Sequence, residues 1–176
     1  IFGEFAVGIM LSSSDNNTLV NNTVLPQGVD GIRLEFSNNN VIHSNTSLAV
    51  IGINITHSDN NTVSANTLTG NDQGVNLNFA TGNFIKDNNI SRTLPGDTSR
   101  CIHLAGIVTS TVVTGNTITG CQFGVFIGGL SSGNEIYNNN FINDVVATFD
   151  FSGGNVFNLA SPIGGNYWSD FDTPEE

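Results

Sequence analysis

The chain is poor in basic residues: four Lys and Arg stand against fifteen Asp and Glu among 176 residues, which gives a net charge of −11. Contacts to phosphates need clustered Lys and Arg, so the composition argues against nucleic acid or an anionic membrane surface as a partner. No apolar run approaches the ~20 residues of a membrane helix, so no membrane insertion is expected. Hydrophobic residues nevertheless make up 38% of the chain, which excludes a disordered composition.

Cysteine is also scarce. Cys101 and Cys121 allow at most one internal disulfide, and they form no CxxC pair of the kind used in zinc or thiol redox sites. A disulfide and two small buried side chains explain the pair equally well. There is no initiator Met and no signal peptide, so Ile1 is expected to begin a processed chain or an excised fragment.

What the chain has in excess is Asn and Gly, and both recur with a period. Repeat turns begin near residues 8, 31, 52, 74, 101 and 124, each with a Gly or, at 101, a Cys. Apolar residues occupy the first and third positions after that residue, and polar residues mostly stand between them. This alternation predicts strands with one face inside. The two apolar rows are Ile9, Ile32, Ile53, Val75, Ile102 and Val125, and Leu11, Leu34, Ile55, Leu77, Leu104 and Ile127.

Asparagine recurs in two columns later in each turn. Stacked Asn amides can hydrogen-bond along a column and to the backbone of a bend, and Asn tolerates the left-handed conformation that bends need. The columns therefore predict structural ladders. The first holds Asn17, Asn40, Asn61, Asn83 and Asn134, with Thr111 in between, and the second holds Asn22, Asn45, Asn66, Asn88, Asn116 and Asn139.

These rows predict an all-β fold: a single-stranded right-handed parallel β-helix, or solenoid, of about seven turns with Asn ladders. Each turn of about 22 residues has no helical stretch, so parallel pairing must come from coiling the chain. One domain over residues 1–176 is expected. A cap over residues 149–171 is predicted to close the core with the aromatic residues Phe149, Phe151, Phe157, Tyr167, Trp168 and Phe171.

The repeat GINITHSDNNTVSAN at 52–66 resembles the parallel β-helix repeats of NosD-like proteins. The ending GGNYWSDF at 164–171 resembles the C-terminal signature of such proteins on archaeal cell surfaces. The resemblance implies a β-helix that lies outside the cytoplasm, either extracellular, on the cell surface or periplasmic. It implies function only loosely, because this fold serves carbohydrate enzymes, binders and scaffolds alike.

Enzymatic function has little support. The NTD, DD, GHG and RIK motifs of polygalacturonase-like hydrolases and the DPH motif of uronan epimerases do not occur. A glycosidase needs two carboxyl groups facing one sugar, but Glu35 has no acidic neighbour in its row, and Asp30 and Asp59 are expected near corners. No catalytic residue is predicted.

Metal and cofactor binding are not expected either. His43, His57 and His103 occupy three different phases of the repeat, so they cannot converge on one metal ion. One Met and no His cluster give copper no coordination sphere, which weakens the copper-delivery role of NosD itself for this chain.

A polar strip is the main candidate for ligand binding. Its amides and hydroxyls could hydrogen-bond to a glycan, with Phe126 and Tyr137 as the aromatic residues that could support a sugar ring. The strip consists of Arg33, Glu35, Asn54, Thr56, Asn76, Asn78 and His103. A loop over 89–100, carrying Arg92 and Arg100, is either functional or a tolerated insertion.

Several Asn residues lie in N-x-S/T sequons. Asn45 is a ladder residue and is expected to be shielded, whereas the other sequons predict N-glycosylation if the source organism glycosylates its proteins. These are Asn16, Asn21, Asn54, Asn60 and Asn89.

The leading functional hypothesis is a non-catalytic structural or adhesion module, on the cell surface or in filaments, that associates with itself end to end or laterally, or with other surface proteins. The alternative is a polysaccharide-binding or polysaccharide-processing module.

Overall fold

The computed structural model describes residues 6–25, 28–92 and 98–169. Three sheets of parallel strands run side by side along one rod, and a short antiparallel pair, Asn158–Leu159 with Gly164–Gly165, follows near the end. The chain visits sheets A, B and C in turn and then starts the next coil, so each inner strand of a sheet pairs with its equivalents one coil before and after. This is the β-solenoid of about seven turns that the repeat predicts.

Sheet A supplies the longest strands, and its members number the coils from 1 to 7. They are Val7–Ser12, Asp30–Glu35, Ile51–Thr56, Gln73–Thr81, Arg100–Thr109, Phe123–Ile127 and Val146–Asp150. Sheet B consists of Thr18–Val20, Val41–His43, Thr62–Ser64, Phe84–Lys86, Val112–Thr114 and Glu135–Tyr137. Sheet C consists of Thr23–Val24, Thr46–Ser47, Thr67–Thr69, Asn89–Ser91, Thr117–Thr119, Asn140–Ile142 and Tyr167–Trp168.

The core is a column of aliphatic side chains inside the three sheets. The two apolar rows of sheet A point inward and are fully buried from coil 2 to coil 6. Sheets B and C each add one inward row, such as Ile85 and Ile90. The register pairs Ile32 with Ile53 and Val75 with Ile102, so like residues stack on like.

Glycine begins most sheet A repeats because sheet C fills the space a side chain would need. A Cβ on Gly124 would lie 2.7 Å from the Phe141 ring and would also meet the backbone oxygen of Ala147. Coil 5 has Cys101 at this position, and its side chain forms a disulfide with Cys121 of the same coil. Both cysteines are buried.

The Asn columns form ladders at the two corners that flank sheet B. In each rung the backbone N–H and the Nδ2 of one Asn donate to the Oδ1 of the Asn in the next coil, as between Asn40 and Asn61 at 2.8 and 3.1 Å. Thr111 interrupts the first ladder, which resumes from Asn134 to Asn155. The second is continuous and extends one rung further than predicted, from Asn139 to Asn166.

The corners need left-handed backbone immediately before each ladder position. Asn16, Asn39 and Asn60 precede the first ladder with φ between 56° and 59°. Asn adopts this region at lower cost than most residues, because its short side chain bonds locally. The need for both the ladder amide and its predecessor explains the NN pairs in the sequence.

The aromatic residues near the C-terminus separate into two groups. Phe157 and Trp168 pack against the core, where Trp168 stacks on Phe141 with a centroid distance of 4.8 Å. Phe149 and Phe151 instead lie in and just after the last sheet A strand and point to solvent, which differs from the cap predicted for residues 149–171. Phe171 lies outside the described residues.

The described residues contain no apolar helix of membrane-spanning length.

Candidate binding face

One row of outward side chains runs the length of sheet A, with one residue from each coil. The register aligns these residues directly, so neighbours are separated by about 4.8 Å, the spacing of paired strands. From coil 1 to coil 7 the row holds Met10, Arg33, Asn54, Asn76, His103, Phe126 and Phe149. Four of the seven predicted strip residues belong to it, and the row changes from polar to aromatic along the rod.

The polar half is held by hydrogen bonds between coils. Asn76 donates from Nδ2 to Asn54 Oδ1 at 2.9 Å, and Asn54 donates to Asp30 Oδ2 at 3.1 Å. Arg33 lies 3.7 Å from Asp30 and 3.6 Å from Glu35. Asp30 therefore belongs to the outer face of a sheet A strand, whereas the sequence predicts it near a corner. Its buried Oδ1 has no hydrogen-bond partner among the described residues.

A second outward row lies beside the first, two residues further along each strand. Glu35, Thr56 and Asn78 are consecutive in it, as the predicted strip requires, and Ala105 follows in coil 5. In coil 6 the strand is followed by Gly128, over which the Phe126 ring leans: a Cβ on Gly128 would lie 3.1 Å from the ring edge. Small residues thus leave the aromatic half of the face open on this side.

Three phenylalanines form a cluster at the end of the row. The rings of Phe126 and Phe149 stack at 5.2 Å, and Phe123 meets them edge-on at 5.2 and 5.7 Å. Phe149 is 40% exposed, and Phe151 beyond it is 77% exposed. Aromatic pairs in such geometries stabilise each other beyond the area they bury, so the cluster is an ordered apolar surface.

Arg100 and His103 border this aromatic cluster. The guanidinium carbon of Arg100 lies 4.5 Å from the centre of the Phe126 ring, and His103 contacts Phe126 edge-on at 5.4 Å. Burial of the imidazole, and secondly the charge of Arg100, lower the pKa of His103 from 6.5 to about 4. His103 is therefore neutral at neutral pH, and Arg100 carries the positive charge of this part of the face.

Sequence reasoning missed several residues of this face. Phe123 and Arg100 occupy the position just before the residue that starts each repeat. A repeat frame that begins at that Gly or Cys does not include this position. Arg100 was assigned to the 89–100 insertion, but it begins a sheet A strand, while Asn89–Ser91 belongs to sheet C. Tyr137, the other expected aromatic residue, lies in sheet B, away from this face.

A separate aromatic column lies at the corner after sheet A. His57 stacks between Phe36 and Phe79, at centroid distances of 5.0 and 5.2 Å, and all three residues have left-handed backbone. Both faces of the His57 ring are covered by its neighbours, so His57 presents its ring edge to solvent.

The sequons occupy different environments. Asn16, Asn21 and Asn60 are exposed at left-handed corners, and Asn89 is exposed in a sheet C strand. Asn54 is half-buried and its Nδ2 donates to Asp30, whereas Asn45 is buried in the second ladder.

The side chains that could ligate a soft metal ion are dispersed. His43 lies in sheet B with its Nδ1 3.1 Å from Ser64 Oγ, His57 is within the corner column, and His103 is on sheet A. Met10 is on the outer face of coil 1, and both cysteines are consumed by the disulfide. Within residues 6–25, 28–92 and 98–169 no three His, Cys, Asp or Glu residues are grouped as metal ligands would be.

Comparison with known proteins gives one match. The family model described as periplasmic copper-binding protein (NosD) matches residues 4–173, and no significant match exists among curated proteins or solved structures. The periplasmic description agrees with the expected location outside the cytoplasm. The copper in that description does not fit the residues present, because the His, Met and thiol ligands that copper prefers do not converge. The family model covers nearly the whole chain, and the chain therefore belongs to the NosD family.

Proposed function

We propose that this chain is a non-catalytic adhesion module outside the cytoplasm, a rigid β-solenoid that binds polysaccharide along the outer face of sheet A. The observation that carries the proposal is the alignment of Arg33, Asn54 and Asn76 in one row with Phe126 and Phe149. Sugar-binding sites combine fixed polar groups for the hydroxyls with apolar surface for the C–H faces of the rings.

The geometry of the polar half suits binding better than catalysis. The Asn54 and Asn76 amides are oriented by hydrogen bonds between coils, so little side-chain entropy is lost when a ligand binds. Asp30 and Glu35 are both engaged by Arg33, whereas a glycosidase needs two carboxyl groups placed on either side of a sugar.

A glycan array followed by calorimetry on the best ligand tests this proposal. Phe149→Ala is expected to weaken binding at least tenfold, or about 1.4 kcal/mol, and Asn76→Ala is expected to weaken it as well. Phe84→Ala is the matched control, because Phe84 is 46% exposed on sheet B, close to the 40% of Phe149. Absence of glycan binding, equal losses in Phe84→Ala, or release of reducing ends from the ligand would overturn the proposal.

End-to-end association is the second candidate function. Coil 1 places Val7–Ser12, Thr18–Val20 and Thr23–Val24 at the edges of their three sheets, and its inward residues are only half-buried. A cavity of about 390 Å³ opens there and is lined in part by Ile9 and Val24. Unpaired strand edges and apolar surface are the features through which strands add to a second chain.

Analytical ultracentrifugation and negative-stain imaging test this second candidate. Wild-type protein is expected to form longer species as its concentration rises, and Val24→Arg is expected to abolish them. Compact monomers at the highest concentration would exclude it, and lateral association would appear as species that Val24→Arg does not affect.

A further inference from the structure

Arg100 carries a positive charge that no carboxylate neutralises in the described part of the chain. The ion pairs there join Arg33 to Asp30 and Glu35, and Arg92 to Asp72. The Nε of Arg100 is buried without a hydrogen-bond partner, and its guanidinium lies over the Phe126 ring. In a chain with a net charge of −11, an unpaired arginine on an ordered outer surface is a notable exception.

The position of Arg100 suits recognition of an anion. Phe126 in coil 6 lies between the guanidinium from coil 5 and the Phe149 ring from coil 7, so the charge is fixed in place by stacking. A stacked guanidinium can keep its terminal N–H groups at the edge, where they bind a carboxylate or sulfate in bidentate fashion. The half-buried position of Arg100 beside apolar rings strengthens such a charged hydrogen bond relative to one in bulk water.

We propose that Arg100, Phe126 and Phe149 form a subsite that selects an anionic sugar residue, with the apolar face of the ring packed on the phenylalanines and its charged substituent bound to Arg100. This inference rests on the proposed glycan function and specifies its ligand class. The anion is either a uronate carboxylate or a sulfate ester, and the two share the same chemistry toward a guanidinium.

Oligosaccharides of equal length from three classes test the subsite by calorimetry: uncharged, uronate and sulfated. At low salt one anionic class, or both, is expected to bind at least tenfold more tightly than the uncharged class, and added salt is expected to reduce the difference. Arg100→Gln is expected to remove this preference. Arg100→Lys is expected to retain part of it, because lysine keeps the charge but lacks the planar pair of N–H donors of the guanidinium.

Lys86→Gln is the matched control, since it makes the same change in net charge at an exposed position of sheet B. Thermal melts of each variant exclude misfolding, and Arg100→Lys keeps the test decisive if Arg100→Gln does not fold. Equal affinity of the wild type for charged and uncharged oligosaccharides would overturn the anionic subsite but leave glycan binding intact. Equal loss of preference in Lys86→Gln would also overturn it. Failure of all three classes to bind would instead remove the proposed function.

Discussion

The backbone N–H and the Nδ2 of Asn66 both donate to one oxygen, Oδ1 of Asn88 in the next coil, at 2.9 and 3.0 Å. Asn66 Oδ1 accepts the equivalent pair from Asn45, and Asn66 Nδ2 also donates to the carbonyl of Ile42. One buried amide therefore satisfies polar groups of the two coils on either side of it.

Asn66→Ala is expected to destabilise the protein by about 3 kcal/mol, because it leaves the buried N–H of Asn45 without its acceptor and removes the side-chain bonds to Asn88 and to the carbonyl of Ile42. A fall in Tm of about 5–10 °C measured by circular dichroism would correspond to that loss. Asn89→Ala is the control, since Asn89 is exposed and its side chain makes no hydrogen bond among the described residues. Similar melting temperatures for both variants would contradict a stabilising role for the ladder.

Gly124→Ala is expected to destabilise the fold by about 1–3 kcal/mol, because its Cβ would meet the Phe141 ring and the backbone of Ala147. The same change at Gly128 makes a suitable control. There the added methyl group meets only the edge of the outward Phe126 ring at 3.1 Å, a contact that a small shift of the ring relieves. Urea unfolding of both variants provides the measurement, and an unchanged Gly124→Ala midpoint would show that the inward glycine column is not required by packing.

Reduction of the disulfide between Cys101 and Cys121 is expected to lower stability by about 3 kcal/mol, since the bridge closes a loop with a sequence separation of 20 residues. Melts with and without reductant measure the effect, and mass spectrometry after alkylation reports the thiol count. The double variant Cys101→Ser/Cys121→Ser should melt at the same temperature with or without reductant. A reductant-induced shift in that variant would mean that the bridge is not its cause.

Stability is expected to fall as the pH drops from about 6.5 to about 4, because His103 in the folded chain resists protonation in that window. In the unfolded chain His103 binds a proton near its ordinary pKa of 6.5. In the folded chain burial, and secondly the charge of Arg100, lower the pKa of His103 to about 4. Proton uptake therefore favours unfolding, by up to about 2–3 kcal/mol. Unfolding measured from pH 7 to pH 4 tests this.

His103→Gln is the control for the pH effect, since it removes the titrating ring from the face and should flatten the profile in that window. Titration of the His103 ring by NMR gives the folded pKa directly. A folded pKa near 6.5 would contradict the lowered pKa of His103. Arg100→Gln should raise that pKa only part of the way toward 6.5, because burial is the larger cause.

The strands and ladders could be predicted because they follow from period. Inward residues such as Ile32 and Ile53 repeat in phase, and the ladder residues Asn40 and Asn61 follow them at the same distance along the chain. Strand stacking places residues of equal phase over one another, so the position of a residue within the repeat predicts which residues of the neighbouring coils it contacts. The outward row of Arg33, Asn54 and Asn76 was predictable for the same reason.

Apart from Phe126, which is in phase with His103, the aromatic half of the binding face could not be predicted, because its residues lie where the repeat is irregular or outside the repeat frame. Phe149 lies in the last coil, where Ala147 replaces the glycine that marks the repeat. Arg100 directly follows the insertion that lengthens coil 4, so its place in a sheet A strand became clear only from its pairing with Gln73 and Phe123. Contacts between a guanidinium and a ring also depend on side-chain conformation, which no repeat encodes.

The Asn ladders give the rod a chemical direction. In both ladders the nitrogen donors of each coil point to the oxygen of the following coil, from Asn17 to Asn40 and from Asn22 to Asn45, and the sense does not reverse along the second file. A second copy of the solenoid could extend an Asn ladder only if its donors pointed in the same direction along the rod. A two-fold contact between like ends would place acceptor against acceptor or donor against donor. Copies that continue the ladders would therefore all have to point the same way, head to tail.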